Sequence, residues 1–306
     1  MNLERLRIIV LNFNRAEMTA DCISNVMQQT YNPKDIIVVD NNSRADEFEK
    51  LCQLLPKEVT IIRCSSNLGY AGGNNVGAKL DNGIPHSTYT MILNNDVTLL
   101  DSDCCKKLIR ALKHDVSRVA CSPLVDTVHT DLPPEKQIQV RRIPKFKDTL
   151  ISGSWWLRRL PWLSSISKWY TYHDARPYPI NQEIDCESIN GSCFIIRTDF
   201  LREIGYFDQG TFLYYEEIIL GKQIKDQGKK ACFVTSTVVR HDQGTTSGQR
   251  RGRVRINTSK EMLRSEVYYC RKYLKASPIS IDILICIRII DFVSKLAFQL
   301  FQGFFR

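Results

Sequence analysis

The 306-residue sequence lacks several signatures that would assign its class at once. It has no GK[ST] tripeptide, hence no Walker loop, and its glycines miss the dinucleotide-fingerprint spacing. Despite eleven cysteines it has no CxxC pair, which removes the usual zinc frameworks. Their number is odd and their spacing irregular. Cys64, Cys121, Cys193 and Cys232 lie in apolar runs, where thiols act as small core hydrophobes. A reduced, cytoplasmic compartment is expected. MNLERLR is charged and the apolar run after it is short, so no secretory leader is expected.

What is present reads as globular. Apolar residues make up 43% and charged residues 25%, ordinary for a folded domain with ample core. The net charge of +9 is uneven. Residues 240–275 hold Arg240, Arg250, Arg251, Arg253, Arg255, Lys260, Arg264, Arg271, Lys272 and Lys275 against Asp242, Glu261 and Glu266. Such a stretch faces phosphate, nucleic acid or an acidic membrane, or is a solvated basic surface. No nucleic-acid recognition motif accompanies it, and no nucleic-acid partner is expected.

The most informative stretch is residues 89–99, YTMILNNDVTL. The apolar run Tyr89 to Leu93 reads as a buried strand that ends in Asn94-Asn95-Asp96. In open α/β sheets the strand's C-terminal tip is where ligands sit. A carboxylate flanked by amides there suits Mg²⁺ or Mn²⁺ that also touches phosphate; the other reading is an Asn-rich turn.

Upstream, residues 7–13 read as a strand, with Asn14 and Glu17 at capping-box spacing before a helix striped by Met18, Cys22, Val26 and Met27. Strands at 36–39 and 59–62 and a helix at about 45–55 follow. Strand and helix alternate at short spacing, which implies right-handed crossovers and a mainly parallel sheet flanked by helices. Asn12, Asp40, Asn67 and Asp96 recur at strand ends and would share one edge. The stretch 67–77, NLGYAGGNNVG, leads into a helix expected near Gly73. Its glycines either let a nucleotide approach the backbone or serve a connector.

After a helix at about 102–112, residues 118–150 read as mixed, with Pro123, Pro133, Pro134 and Pro144 breaking any long element. Trp155, Trp156, Trp162, Trp169, Tyr170, Tyr172 and Tyr178 then crowd around Arg158 and Arg159. That composition suits sugar stacking, a membrane interface or packing under a loop. Residues 186–197 look like a strand with Gly191 at a close approach, followed by a short helix at 199–204. Glu216 and Glu217 begin a helix that ends at Gly228. They are either dipole-stabilised caps or, at the mouth of a core, a general base. His241 follows a strand at 231–239 and is either an ordinary histidine or part of a metal site with the distant Asp96. Residues 279–306 read as an amphipathic helix too interrupted to span a bilayer, either lying in the membrane interface or docked on the protein.

Together the ordered set IIVLNFNR, IIVVDNNS, NLGYAGGNNVG, MILNNDV, INGSCFIIRTDFLREIGYFD, FLYYEE and His241 resembles family 2 glycosyltransferases of the GT-A fold over roughly residues 7–245. NLGYAGGNN and LNND resemble the rhamnosyltransferase-like branch. The resemblance implies a Rossmann-like nucleotide-binding α/β domain, taken here over 1–275; the amphipathic segment over 276–306 lies beyond it and is expected either to associate with a membrane or to dock on the protein. It implies that Asn12, Asp40, Asn67, Gly69, Gly73, Asn74, Asn95 and Asp96 line the nucleotide-sugar site. Asn12 and Asp40 would meet base and ribose, and Asn95 would lie near the ribose. Asn74 stands where many members carry arginine. Asn94-Asn95-Asp96 occupies the DXD position, so Asp96, with His241, would hold Mg²⁺ or Mn²⁺. Glu217 would be the base, with Glu216 beside it, and Gly191, Trp155 and Trp156 would meet the acceptor. The second acidic residue frequent two positions after the base is Ile219 here.

The activity so implied is inverting, metal-dependent transfer from a nucleoside-diphosphate sugar, dTDP-rhamnose first and UDP-sugars next. The acceptor would be a glycan or lipid-diphosphate-linked glycan in cell-surface polysaccharide synthesis, reached by peripheral contact with the cytoplasmic face of a membrane. The rival class is a catalytically inactive nucleotide-sugar- or glycan-binding module.

Overall fold

The computed structural model describes residues 4–81, 83, 87–128, 132–137, 142–157, 160, 163, 178–242 and 256–304, with side chains to residue 297. Arg158, Arg159, Trp162, Trp169, Tyr170, Tyr172, Arg250, Arg251, Arg253 and Arg255 lie outside the described residues.

Nine described strands form one mixed sheet. Its parallel half is β3 (Thr60–Arg63), β2 (Lys34–Asp40), β1 (Leu6–Asn12) and β4 (Tyr89–Asn94), in that spatial order. Next come β8 (Cys193–Arg197), antiparallel to β4, then β6 (Arg118–Thr127) and β9 (Lys230–His241), which run parallel to each other. The short β5 (Val97–Leu99) and β7 (Glu183–Cys186) both pair antiparallel with β9.

Alternation along the strands sends side chains to two layers. Leu6, Ile8 and Val10 of β1 pack with Ile23 and Val26 of α1 (Ala16–Met27), Leu51 of α2 (Ala45–Leu54) and Leu108 of α4 (Cys104–His114). Ile9 points the other way, toward Ala71 and Ala78 of α3 (Gly69–Lys79). That layer also holds Phe200 of α6 (Thr198–Glu203) and Leu220 of α7 (Glu216–Asp226). A third cluster joins Ile218 and Ile219 of α7 to Tyr269 of α8 (Ile256–Lys272) and to Ile281 and Leu284 of α9 (Pro278–Phe304), with Phe146 and Leu150 of α5 (Phe146–Ser152) packed against it.

Four local readings are corrected. Asn14 and Glu17 make no capping box: Asn14 is left-handed and accepts from Arg44 N, Glu17 pairs with Lys50, and Glu47 Oε2 of α2 caps the Ala16 amide at 3.0 Å. In the α1 stripe, Thr19 and Ile23 are buried while Met27 is exposed. Pro123 does not break its segment; β6 runs through it at a register shift against β9, where a missing N–H is tolerated. The 186–197 segment is the end of one strand and all of another, β7 and β8, separated by a loop that carries Gly191.

Candidate active site

The parallel register sets Asn12 beside Asp40 and Leu11 beside Asn94, so the three strand ends share one edge. Asn12 is fully buried and donates to Asp40 Oδ1 (2.7 Å) and Ser43 Oγ (3.1 Å). Thr19 donates to Asn12 Oδ1 (2.8 Å), and Asn95 donates to Thr19 Oγ1 (3.0 Å). A buried polar chain of this kind holds its members in fixed orientation because each needs the next. Arg63 Nε adds a cation 3.6 Å from Asp40 Oδ2.

The Gly-rich stretch differs from its expected form. Its helix begins at Gly69, not near Gly73. A Cβ at Gly73 would sit 2.4 Å from Leu11 Cδ1 and one at Gly77 2.8 Å from Ile9 Cγ2, so these glycines bring α3 close to β1. Asn67 Oδ1 accepts from Asn41 Nδ2 (2.9 Å) and from the Gly69 amide (3.0 Å), which shapes the turn into the helix. Asn74 is buried; its amide donates to Tyr70 O (3.0 Å), and its Oδ1 has no hydrogen-bond partner among the described residues.

Asp96 and His241 come together because β5 turns back immediately after Asn94-Asn95-Asp96 and pairs with the end of β9, Val97 opposite His241. The Asp242 amide donates to Asp96 O at 3.0 Å and closes the corner. Asp96 Oδ1 then lies 3.2 Å from His241 Nε2, with both side chains under a tenth exposed. Two neighbouring ligands of a six-coordinate ion with bonds of about 2.1 Å stand roughly 3 Å apart, so this oxygen–nitrogen pair fits a divalent cation. No group of three or more His, Cys, Asp or Glu residues suited to a metal occurs among the described residues. Two protein ligands leave room for phosphate oxygens and water, the pattern Mg²⁺ adopts with nucleotides.

Glu216 and Glu217 open α7 after two successive left-handed tyrosines, Tyr214 (φ 74°) and Tyr215 (φ 73°). That conformation is unfavourable for bulky residues and survives only when surroundings enforce it. Here α8 enforces it: Ser265 donates to Leu213 O (2.8 Å), and the Tyr215 hydroxyl donates to Glu266 (3.1 Å). The two carboxylates have different settings. Glu216 is pushed up from 4.5 to about 8 by burial and by the charge of Glu217, so at neutral pH it is largely protonated. Glu217 faces the 187–192 loop: a Cβ at Gly191 would stand 3.6 Å from Glu217 Cβ and 3.9 Å from its Oε2. Tyr70 donates its hydroxyl to Gly191 O, and burial together with both glutamates pushes that phenol up, which keeps it a donor. Ile219 is buried against the third cluster, so its side chain belongs to packing.

Trp155 donates its indole N–H to Ser294 of α9 (3.0 Å), which ties it to the C-terminal helix; Trp156 is half-buried. Sequence reasoning missed Thr19, Asn41, Ser43 and Tyr70. Thr19 carried a weak signal, a hydroxyl on the sheet-facing side of a helix. Tyr70 carried none, since its partner is a backbone carbonyl far along the chain.

The sequence profile of glycosyl transferase family 2 matches residues 7–204. The low-salt glycan biosynthesis hexosyltransferase Agl10 of Haloferax volcanii is 24% identical over 216 residues, 71% of this chain and 60% of that protein. An N-acetylglucosaminyl-diphospho-decaprenol L-rhamnosyltransferase of Mycobacterium tuberculosis is 22% identical over 250 residues, 80% of this chain and 78% of its own length. Among solved structures, GalNAc-T7 with UDP, GalNAc and Mn²⁺ has a TM-score of 0.59 at 18% identity, covering 88% of this chain and 48% of that one. The mannosyltransferase PcManGT from Pyrobaculum calidifontis, in complex with GDP-Man and Mn²⁺, has a TM-score of 0.54 at 14% identity, over 96% and 74%. The chain thus spans less than two thirds of Agl10 and about half of the GalNAc-T7 chain, and the structural likeness is one of fold.

Proposed function

The chain belongs to glycosyl transferase family 2, and on that premise we propose that it moves one sugar from a nucleoside-diphosphate donor to an acceptor hydroxyl with inversion at the anomeric carbon. The observation that carries this reading is the Asp96–His241 pair at the edge where Asn12 and Asp40 also end. Asn12, Asp40 and Asn95, already oriented by one another, meet the nucleoside. Asn67 and Gly69 shape the turn beside it, while Gly73 and Asn74 support it from within α3.

Asp96 and His241 would hold a divalent cation, Mg²⁺ or Mn²⁺, which would supply Lewis-acid stabilisation of the charge on the departing diphosphate. Glu217 takes the proton of the acceptor hydroxyl as its oxygen bonds to the anomeric carbon. The bond from that carbon to the diphosphate oxygen breaks, and its electron pair leaves with the nucleoside diphosphate. The transition state is oxocarbenium-like, as in glycoside hydrolysis. Glu216, largely protonated at neutral pH, sits beside Glu217 without adding a second negative charge. Gly191 leaves space opposite Glu217 for the acceptor.

For the donor we favour dTDP-rhamnose, supported by the rhamnosyltransferase relative, and UDP-sugars next. The same relative's name, with its diphospho-decaprenol, supports a lipid-linked glycan acceptor; the setting we favour is cell-surface polysaccharide synthesis at the cytoplasmic face of a membrane. The test is donor hydrolysis and thermal shift with a panel of nucleotide sugars, each with and without Mn²⁺ or Mg²⁺. Stabilisation by one donor, dependent on metal and lost in Asp96→Ala, is the expected result. Donor binding without turnover across many acceptors would instead leave a nucleotide-sugar-binding module.

A further inference from the structure

The C-terminal helix α9 turns two charged residues inward and keeps one aliphatic side outward. Arg288 and Asp291 face the protein, while Asp282 and Lys295 are exposed. Arg288 donates to Glu266 of α8 through Nε and a terminal nitrogen (both 2.8 Å) and to the carbonyls of Thr149 (2.7 Å) and Leu150 (3.2 Å). Asp291, 3% exposed, accepts from Ser154 (2.9 Å). Ile281 and Leu284 are buried on that inward side, and six other aliphatic residues face outward: Ile279, Ile283, Ile289, Ile290, Val293 and Leu296 are between 38% and 73% exposed. At 100° per residue these six and Cys286 fall on one side of the helix over about five turns. Asp282 is the acidic residue on that side among the described positions, in the first turns where the helix dipole favours it. A continuous aliphatic face of this extent exceeds scattered surface apolarity and marks a contact surface.

Beside it runs a groove of about 450 Å³ between α8 and α9, lined by Leu263, Arg264, Val267, Tyr268, Arg271 and Ile285. Arg264 bonds Glu261 at 2.7 Å and Arg271 is exposed. The aliphatic face is therefore flanked by guanidinium groups, in a chain of net charge +9. A second copy would bring the same charge and the same arginines to the contact, which repels. An anionic lipid leaflet is complementary to both parts. No described helix is long and apolar enough to cross a membrane, so α9 would lie along the surface.

We propose that the outward aliphatic face of α9 seats in the interfacial layer of an anionic membrane, with Arg264 and Arg271 meeting lipid phosphates. This deepens the acceptor half of the proposed function, since a lipid-linked acceptor is presented at such a surface. The assay uses neither donor nor acceptor, so its failure leaves the donor test untouched. The full chain is sedimented with vesicles of phosphatidylcholine alone or mixed with phosphatidylglycerol. Strong binding only to the anionic vesicles is expected. Ile283→Gln with Ile290→Gln should lower binding at least tenfold with unchanged helicity and Tm. Arg264→Gln with Arg271→Gln should lower it about tenfold at low salt. No binding of the unaltered chain to either vesicle overturns the proposal. So does a concentration-dependent dimer that the isoleucine variant dissociates, which would give the face to a second copy. Equal binding to both compositions overturns the role of the arginines.

Discussion

Asp96 Oδ1 and His241 Nε2 lie 3.2 Å apart, one in the turn after the fourth strand and the other at the end of the ninth. The antiparallel return of β5 along β9 makes the pair, on which the proposed metal dependence rests. Asp96→Ala and His241→Ala should each remove the metal-dependent part of donor stabilisation and lower turnover about 10²-fold or more, given the several kcal/mol a Lewis acid supplies. Titration of Mn²⁺ by thermal shift in the presence of nucleotide checks it. Metal dependence retained in both variants would assign the cation elsewhere.

Glu217→Gln should lower kcat roughly 10²–10⁴-fold with donor affinity unchanged, because a general base acts on the acceptor and not on nucleotide binding. Single-turnover rates beside donor titration separate the two effects. Near-full activity would remove Glu217 from the role.

Glu216 sets a pH dependence of stability. Its pKa is raised in the folded state to about 8 from 4.5, so between these values the native chain holds a proton that the unfolded chain has released. The contribution is complete below about 4.5 and is lost as pH rises through about 8. Denaturant midpoints should therefore fall over that window, and Glu216→Gln should flatten this part of the slope. An identical slope in the variant would show that other groups produce it.

Gly69 has φ +71°, and a Cβ there would lie 2.3 Å from Phe212 O, the acceptor of the Tyr70 amide. Gly69→Ala should cost about 1–3 kcal/mol and loosen the 212–215 segment that leads into Glu216 and Glu217. Denaturation curves and donor titration on the same sample test this.

The Glu266–Arg288 pair is buried and holds Tyr215 in its left-handed conformation through the hydroxyl bond. Removing one partner strands a charge, so Arg288→Gln should destabilise by about 3–5 kcal/mol. Double substitution with Glu266→Gln should recover part of the loss. Additive losses would mean that the two residues act independently.

The sequence by itself determined the strand–helix alternation, the parallel half of the sheet and the set of polar strand ends. Period-two apolar runs and short connections leave little freedom in such a chain. Asn12, Asp40 and Asp96 were readable because amides and carboxylates closing apolar strands need partners or a ligand. The boundaries of α1 and α3 were less legible. Glu47 caps α1 from another helix, and the α3 glycines answer to Leu11 and Ile9 on the sheet below. The family resemblance already pairs Asp96 with His241; only tertiary structure decided that Tyr70 meets Gly191 and Tyr215 meets Glu266. It also decided the direction of α9. Alternating charges and isoleucines fix an amphipathic helix but not which side turns inward, and here Glu266 and Ser154 draw Arg288 and Asp291 in beside Ile281 and Leu284, leaving Ile279, Ile283, Ile290 and Val293 outside.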